Sequence, residues 1–207
     1  MQQDELIKRC AKKNEVAQQE LYTKFYPVVY RICMRYANDS SEAKDMTQEC
    51  FIKIFLKIEQ YKGTGSFEGW LKRVAVTTAI DIYNKNKKYR YYIDLEENKI
   101  SKNATSETFG VESDKNSYEI AKLNPGNIDI DVVRSADFDY NELIEVLQLI
   151  PEPFRIVFNL FIIEEYTHEE IAKMLGINIK TSWSRLSRAK QMFQKKLSEQ
   201  TLVKLNV

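Results

Sequence analysis

The chain is poor in the residues from which metal centres and hydrolytic sites are most often assembled. His168 is its only histidine, and its three cysteines, Cys10, Cys33 and Cys50, are odd in number and far apart. So few donors at such spacing argue against a zinc site, and the cysteines read as buried, reduced thiols rather than disulfide partners. Long apolar runs are lacking too: no stretch of about 18 apolar residues occurs to cross a membrane. Met1 leads into the polar QQDELIKR instead of the apolar centre of a signal peptide, so a cytoplasmic location is expected. The sequence KGTGS at 62–66 lacks the spacing of a phosphate-binding P-loop, and no nucleophile elbow is present. His168 stands beside a helix-capping signal and reads as solvated. These absences point away from an enzyme, with no metal and no cofactor expected.

Net charge is also scarce, at +1 for 207 residues, but only until it is mapped. Residues 1–90 carry 17 Lys+Arg against 11 Asp+Glu, residues 91–147 carry 5 against 13, and residues 148–207 carry 9 against 6. Two basic units thus flank an acidic connector, a layout suited to two separate contacts with nucleic acid.

The C-terminal part carries the clearest local signals. In THEEIAKMLGINIKTSWSRLSRAK, residues 167–190, Thr167 and Glu170 have the spacing of a reciprocal capping box. Ile171 and Leu175 give the helix that follows an apolar face, Ala172 permits close crossing by another helix, and Gly176 supplies the left-handed residue that ends it. In the next segment Ser182, Leu186, Ala189, Phe193 and Leu197 form one stripe, leaving Lys180, Ser184, Ser187, Arg188 and Gln191 largely on the other side. This is a helix-turn-helix whose second helix can present Arg and Ser donors to phosphates and base edges in a major groove.

Upstream, Leu21, Phe25, Val28, Ile32 and Tyr36 recur at helical spacing, predicting a helix over about 15–37 that Pro27 bends or splits. Asp39 and Glu42 resemble a second capping box ahead of EAKDMTQECFIKIFLKIEQY, and CFIKIFLKI is apolar enough on most sides to be buried. Ser66 can cap a third helix. Residues 91–138 lose the helical rhythm and read as a flexible acidic linker. From Asp139 the pattern resumes; Pro153 fits a first helical turn, and four helices complete the second unit. The expected architecture is all-α: two small helical domains, 1–90 and 139–207, joined by the linker over 91–138.

Taken together, DMTQECFIKIF at 45–55, SFEGWLKRVAVTTAIDIY at 66–83 and the motif LIPEPFRIVFNLF…YTHEEIAKMLGI…TSWSRLSRAK resemble the extracytoplasmic-function (ECF) group of bacterial sigma factors, in the sigma-70 family. The resemblance implies an initiation subunit that binds core RNA polymerase, directs it to specific promoters and helps open the DNA. It also implies a region 2-like domain over 1–90, a region 4-like domain over 139–207 and an anti-sigma factor as partner. Asp45, Gln48, Glu49 and Ile52, on one helical face, correspond to the contact with core polymerase. Lys62, Gly63, Thr64, Gly65, Ser66, Phe67, Trp70, Arg73 and Thr77 correspond to the minus-ten reader, where aromatic rings and the cations Lys72, Lys85, Lys87, Lys88 and Arg90 suit opened strands. Lys180, Thr181, Trp183, Ser184, Arg185, Ser187 and Arg188 correspond to the minus-thirty-five reader. The chain departs from the usual pattern at Thr77, where Asn is frequent, after Asp81, where the Arg/Lys cluster is usually denser, at Ser182, where a β-branched aliphatic is common, and at Trp183, where a basic residue is common. A stand-alone dimeric helix-turn-helix regulator would account for the C-terminal unit but leave DMTQECFIKIF and the aromatic-basic middle without a role.

Overall fold

A computed structural model of the chain describes residues 2–100 and 140–205, and the regular elements among them are all helical. The chain divides into two compact units, Met1–Asn86 and Lys87–Val207. The first begins with α1 (Gln2–Ala11), which lies ahead of the first helix expected from sequence; Leu6, Ile7 and Cys10 are its buried residues. Lys13, at φ 59°, turns the chain into α2 (Glu15–Tyr36). Asn14 caps that helix, its side chain accepting from the Ala17 N–H at 2.9 Å.

Pro27 does not split α2, which remains one helix through Tyr36. Buried residues lie on both sides of the proline, Leu21 and Phe25 before it and Val29, Ile32 and Cys33 after it, so tertiary packing holds both halves in helical conformation. Pro27 itself is exposed, where the backbone carbonyl deprived of its donor can be solvated.

The helix α3 (Ser40–Lys57) runs into a 3-10 turn at Ile58–Gln60. Asp39 caps it as expected, accepting from the N–H groups of Ser41 and Glu42 at 2.8 Å each. The reciprocal arm of the capping box is shifted by one residue: the Glu42 carboxylate accepts from the N–H of Asn38 at 2.7 Å, not from that of Asp39. The run CFIKIFLKI is only partly buried. Cys50, Phe51, Ile54 and Ile58 enter the core, whereas Ile52 and Leu56 are 51% and 71% exposed. An apolar run reports hydrophobicity all round the helix, but neighbouring helices cover only one side of α3.

The fourth helix, α4 (Phe67–Ile100), turns Phe67, Leu71, Val74, Ala75, Thr78, Ala79 and Tyr83 inward. It continues to Ile100, into the segment assigned from sequence to the linker; the rest of that segment lies outside the described residues. Small residues let the three long helices approach. Cys50 of α3 lies 3.8 Å, sulfur to sulfur, from Cys33 of α2, and its thiol donates to the Ala75 carbonyl of α4 at 3.6 Å. All three cysteines are free and buried. The hydrogen bond with Cys33, together with burial, pushes the Cys50 thiol far up, so it stays protonated.

In the second unit α5 (Tyr140–Gln148) is followed by α6 (Glu152–Phe158), with Pro153 in its first turn, and by a π-helical turn at Asn159–Ile163. The helix-turn-helix then consists of α7 (His168–Leu175) and α8 (Ile179–Leu205). The Thr167–Glu170 capping box is complete: the Glu170 carboxylate accepts from the Thr167 N–H at 2.8 Å, and the Glu170 N–H donates to the Thr167 hydroxyl at 3.3 Å. On α8, Ser182, Leu186, Ala189 and Phe193 are buried, and Phe193 stacks on Phe158 of α6 at 5.0 Å. Leu197, the last member of the expected stripe, lies outside the side chains described.

Gly176 adopts φ 61°, and a Cβ there would meet nothing within 4 Å. The requirement for glycine is therefore conformational and not steric. Gly176→Ala should destabilise the C-terminal unit by about 1–2 kcal/mol, the cost of a left-handed L-residue. Thermal unfolding should show a lower midpoint, while circular dichroism well below that midpoint retains its helical signal.

Candidate protein and nucleic-acid interfaces

On α3 the side chains of Asp45, Gln48, Glu49 and Ile52 are all exposed. Met46, Thr47, Cys50 and Ile54 face inward and set the helix rotation that brings those four to the surface. The exposed Leu56, one turn beyond Ile52, extends the same stripe, so the face grades from acidic to apolar towards its C-terminal end. A graded surface of this kind offers charged contacts at one end and area to remove from water at the other.

The loop between the 3-10 turn and α4 exposes Lys62, Gly63, Thr64, Gly65 and Ser66. Gly63 and Gly65 have φ 73° and 81°, and the phenolic hydroxyl of Tyr61 donates to the Gly65 carbonyl at 2.8 Å. Two left-handed residues make the tight path, and the tyrosine pins it. Ser66 begins α4: its carbonyl accepts from the Trp70 N–H at 3.0 Å, while its hydroxyl accepts weakly from the Gly69 N–H at 3.4 Å.

Phe67 does not supply the aromatic surface expected of it. It is 3% exposed and occupies the centre of a ring cluster, 5.5 Å from Phe25, 5.2 Å from Tyr61 and 5.5 Å from Trp70. Trp70 is half-buried against Phe67 and Tyr61, leaving part of its indole at the surface. Trp70, Arg73 and Thr77 share one face of α4 by their i, i+3, i+7 spacing, next to the glycine loop. Arg73 is exposed; the hydroxyl of Thr77 turns back to its own helix, donating to the carbonyls of Arg73 at 2.9 Å and Val74 at 3.0 Å. That hydroxyl can therefore act outward mainly as an acceptor. Lys72 pairs with Glu68 at 2.8 Å, an exposed i, i+4 bridge, and Lys85 and Lys87 are exposed. The side chains of Lys88 and Arg90 are outside those described.

In the second unit Asn178 caps α8, its side chain accepting from the Lys180 N–H at 2.9 Å. The burial of Ser182, Leu186, Ala189 and Phe193 turns Lys180, Trp183 and Arg188 to the exposed side, with Thr181, Ser184, Arg185 and Ser187 half-buried between. Ser184 donates to the Thr181 carbonyl at 3.1 Å. Every residue assigned to the minus-thirty-five reader is thus at least partly accessible and near the N-terminal part of one helix.

His168 is not solvated. It is 4% exposed, lying against Phe161 at 4.5 Å and Trp183 at 4.0 Å, with both ring pairs stacked. Its Nδ1 is 2.9 Å from the buried Ser182 hydroxyl. The serine and tryptophan that looked like separate departures are therefore joined through one histidine. The capping signal hid this arrangement, because the first residue of a helix is usually exposed. Burial, assisted by the nearby charge of Lys190, lowers the His168 pKa below its ordinary value against the opposing pull of Glu169, so the ring is neutral near pH 7. Among the described residues no three His, Cys, Asp or Glu side chains are grouped to hold a metal ion, and no helix is long and apolar enough to cross a membrane.

Comparison with known families matches residues 21–89 to Sigma-70 region 2 and residues 140–193 to Sigma-70, region 4. The first match lies almost wholly in the first unit and the second in the second unit, and together they take in more than half of the chain. The chain belongs to the sigma-70 family. Its similarity to ECF RNA polymerase sigma factor SigW of Bacillus subtilis strain 168 is 28% identity over 93% of this chain and 95% of the relative. The ECF RNA polymerase sigma-E factor of Escherichia coli K12 is 27% identical over 93% of this chain and 92% of its own length. RNA polymerase sigma-H factor of Pseudomonas aeruginosa is 24% identical over 95% and 94%. The chain is an ECF-type RNA polymerase sigma factor, a subunit that binds core polymerase, directs it to promoters and promotes DNA opening.

A buried neutral histidine makes stability depend on pH in a defined direction. Its folded pKa is below the ordinary 6.5, so in mildly acidic solution the unfolded chain binds the proton first. The contribution is complete above about pH 6.5 and is lost as pH falls through that value towards the lower folded one. Thermal midpoints of the C-terminal unit should therefore drop on acidification in this window. His168→Phe should remove that part of the slope, since the chain has no second histidine.

Proposed function

We propose that this sigma factor divides its task among three surfaces on its two units. Asp45, Gln48, Glu49 and Ile52 dock on core polymerase. The Lys62–Ser66 loop with Trp70, Arg73 and Thr77 receives the opened minus-ten strand, the pinned glycine path admitting a base while nearby cations hold phosphates. Phe67 supports this surface from within the ring cluster. On α8, Lys180, Thr181, Trp183, Ser184, Arg185, Ser187 and Arg188 meet the minus-thirty-five duplex. The acidic connector passes along basic polymerase channels, and an anti-sigma factor belongs to the same reading. The protein works in the cytoplasm and has no catalytic step of its own, polymerisation belonging to the core enzyme.

The observation that carries this reading is the rotation of α8. Its buried stripe leaves a cationic, hydroxyl-bearing face outward at the start of a helix that follows a tight, glycine-terminated turn. A stand-alone regulator leaves the region 2 match and the exposed α3 stripe unexplained.

Reconstitution with purified bacterial core polymerase on a promoter library, read as run-off transcripts, tests the assignment. Core enzyme should be required for promoter-specific binding, whereas tight sequence-specific duplex binding by the free chain would favour the regulator. Arg188→Ala should weaken minus-thirty-five recognition by about 1–3 kcal/mol if it pairs bidentately with a base, without unfolding the unit. Replacing Asp45, Gln48 and Glu49 together with Ala should leave helicity intact, because alanine is a good helix former and the inward residues remain. A pull-down with core polymerase should then show weaker association; wild-type association would make this stripe a solvated helix face.

A further inference from the structure

Trp183 occupies a chemically unusual place on α8. Lys180 and Ser187, three residues before it and four after it on the same face of the helix, can donate to phosphates or base edges. Trp183 instead presents a neutral, largely apolar ring that is 45% exposed. An exposed tryptophan ordinarily has freedom about two side-chain torsions, but one face of this ring is stacked on His168 at 4.0 Å and 27°. His168 is in turn backed by Phe161 at 4.5 Å and 26°. The Nδ1 of His168 is tied at 2.9 Å to Ser182, the residue preceding Trp183 on the same helix. Three rings from the π-helical turn, α7 and α8 therefore form one stack. Its middle member, His168, is anchored by a hydrogen bond to α8, the helix that carries its outer member, Trp183.

Pre-ordering has a physical consequence for recognition. A side chain already fixed in the free protein loses little rotamer entropy on contact, so even a small apolar contact registers as affinity. The major groove contains one apolar feature, the C5 methyl of thymine. Resting on the minus-thirty-five assignment made above, we infer that Trp183 is a specificity-determining residue that reads a thymine methyl, and that His168 is its positioning residue. A cation in that place would hold a phosphate without regard to sequence; an indole fixed in orientation discriminates between thymine and the other bases. Neutral His168 also keeps positive charge away from the apolar contact.

Substitution of deoxyuridine for thymine removes the methyl group and nothing else. Templates altered at each thymine of the preferred minus-thirty-five element are transcribed by the reconstituted wild-type holoenzyme, a comparison that needs no variant to fold. At one or two positions the loss of the methyl should lower promoter use about fourfold, the value of burying one methyl-sized group. Trp183→Ala should abolish that methyl effect. His168→Ala should reduce it in parallel, whereas His168→Phe, which keeps a ring between Phe161 and Trp183, should largely retain it.

Emission anisotropy of Trp183 supplies a second readout in a Trp70→Phe chain, where it is the only tryptophan. Adding His168→Ala should lower the anisotropy at an unchanged circular dichroism signal. No methyl effect at any thymine overturns the reading of the base, and an undiminished effect in His168→Ala overturns the positioning role. If Arg188→Ala shifts the minus-thirty-five profile while deoxyuridine does not, this inference alone fails. If neither Arg188→Ala nor Trp183→Ala alters the profile, the assignment of α8 to that element fails with it.

Discussion

Burial of one stripe on α8 is the constraint on which the surface proposed to face DNA depends. Ser182, Leu186, Ala189 and Phe193 lie inside the second unit, and a helix has no independent way to choose what its opposite side displays. The stacked Phe158–Phe193 pair and the close approach allowed by Ala189 fix rotation about the helix axis. The left-handed Gly176 and the Asn178 cap fix where that helix begins. Each arginine or serine on the outer face therefore inherits its direction from residues on the buried side of the same helix.

The first unit uses the same economy with different side chains. Its three long helices are drawn together where residues are small, at Ala43, Cys50, Ala75 and Ala79, and are keyed by larger groups such as Leu21, Ile54 and Leu71. Aromatic rings fill the wider margins: Tyr22 lies 4.5 Å from Phe51, and Phe25 lies 5.5 Å from Phe67. With the interior thus filled, the polar residues of α3 and the glycine loop are left to interact elsewhere. A rigid frame beneath a loop with two positive-φ glycines suits a site that must hold its shape before a strand arrives.

Features set by neighbours in sequence were the ones legible in it. The Thr167–Glu170 box, the Gly176 turn and the period of the α8 stripe each depend on residues within a few positions of one another, and all three are present. What depended on neighbours in space was harder to read. Pro27 signalled a bend or a split, and packing on either side averts the split; the exposure of Ile52 and Leu56 reflects how many helices surround α3. Phe67 carried the same composition signal as a base-stacking ring, but the convergence of Phe25, Tyr61 and Trp70 placed it inside. His168 was obscured most thoroughly. Its surroundings come from Phe161, Ser182 and Trp183, so only the folded helix-turn-helix reveals that they form one arrangement.

The interior placement of Cys10, Cys33 and Cys50 gives the protein a quiet surface towards thiol chemistry. Maleimides and iodoacetamides require an accessible thiolate, and these sulfurs are withdrawn from solvent. A single cysteine introduced at an exposed position would then be the preferred point of attachment without prior removal of the native three. With one such cysteine on each unit, a donor and acceptor pair could report the distance between the units with and without polymerase, in the otherwise natural chain.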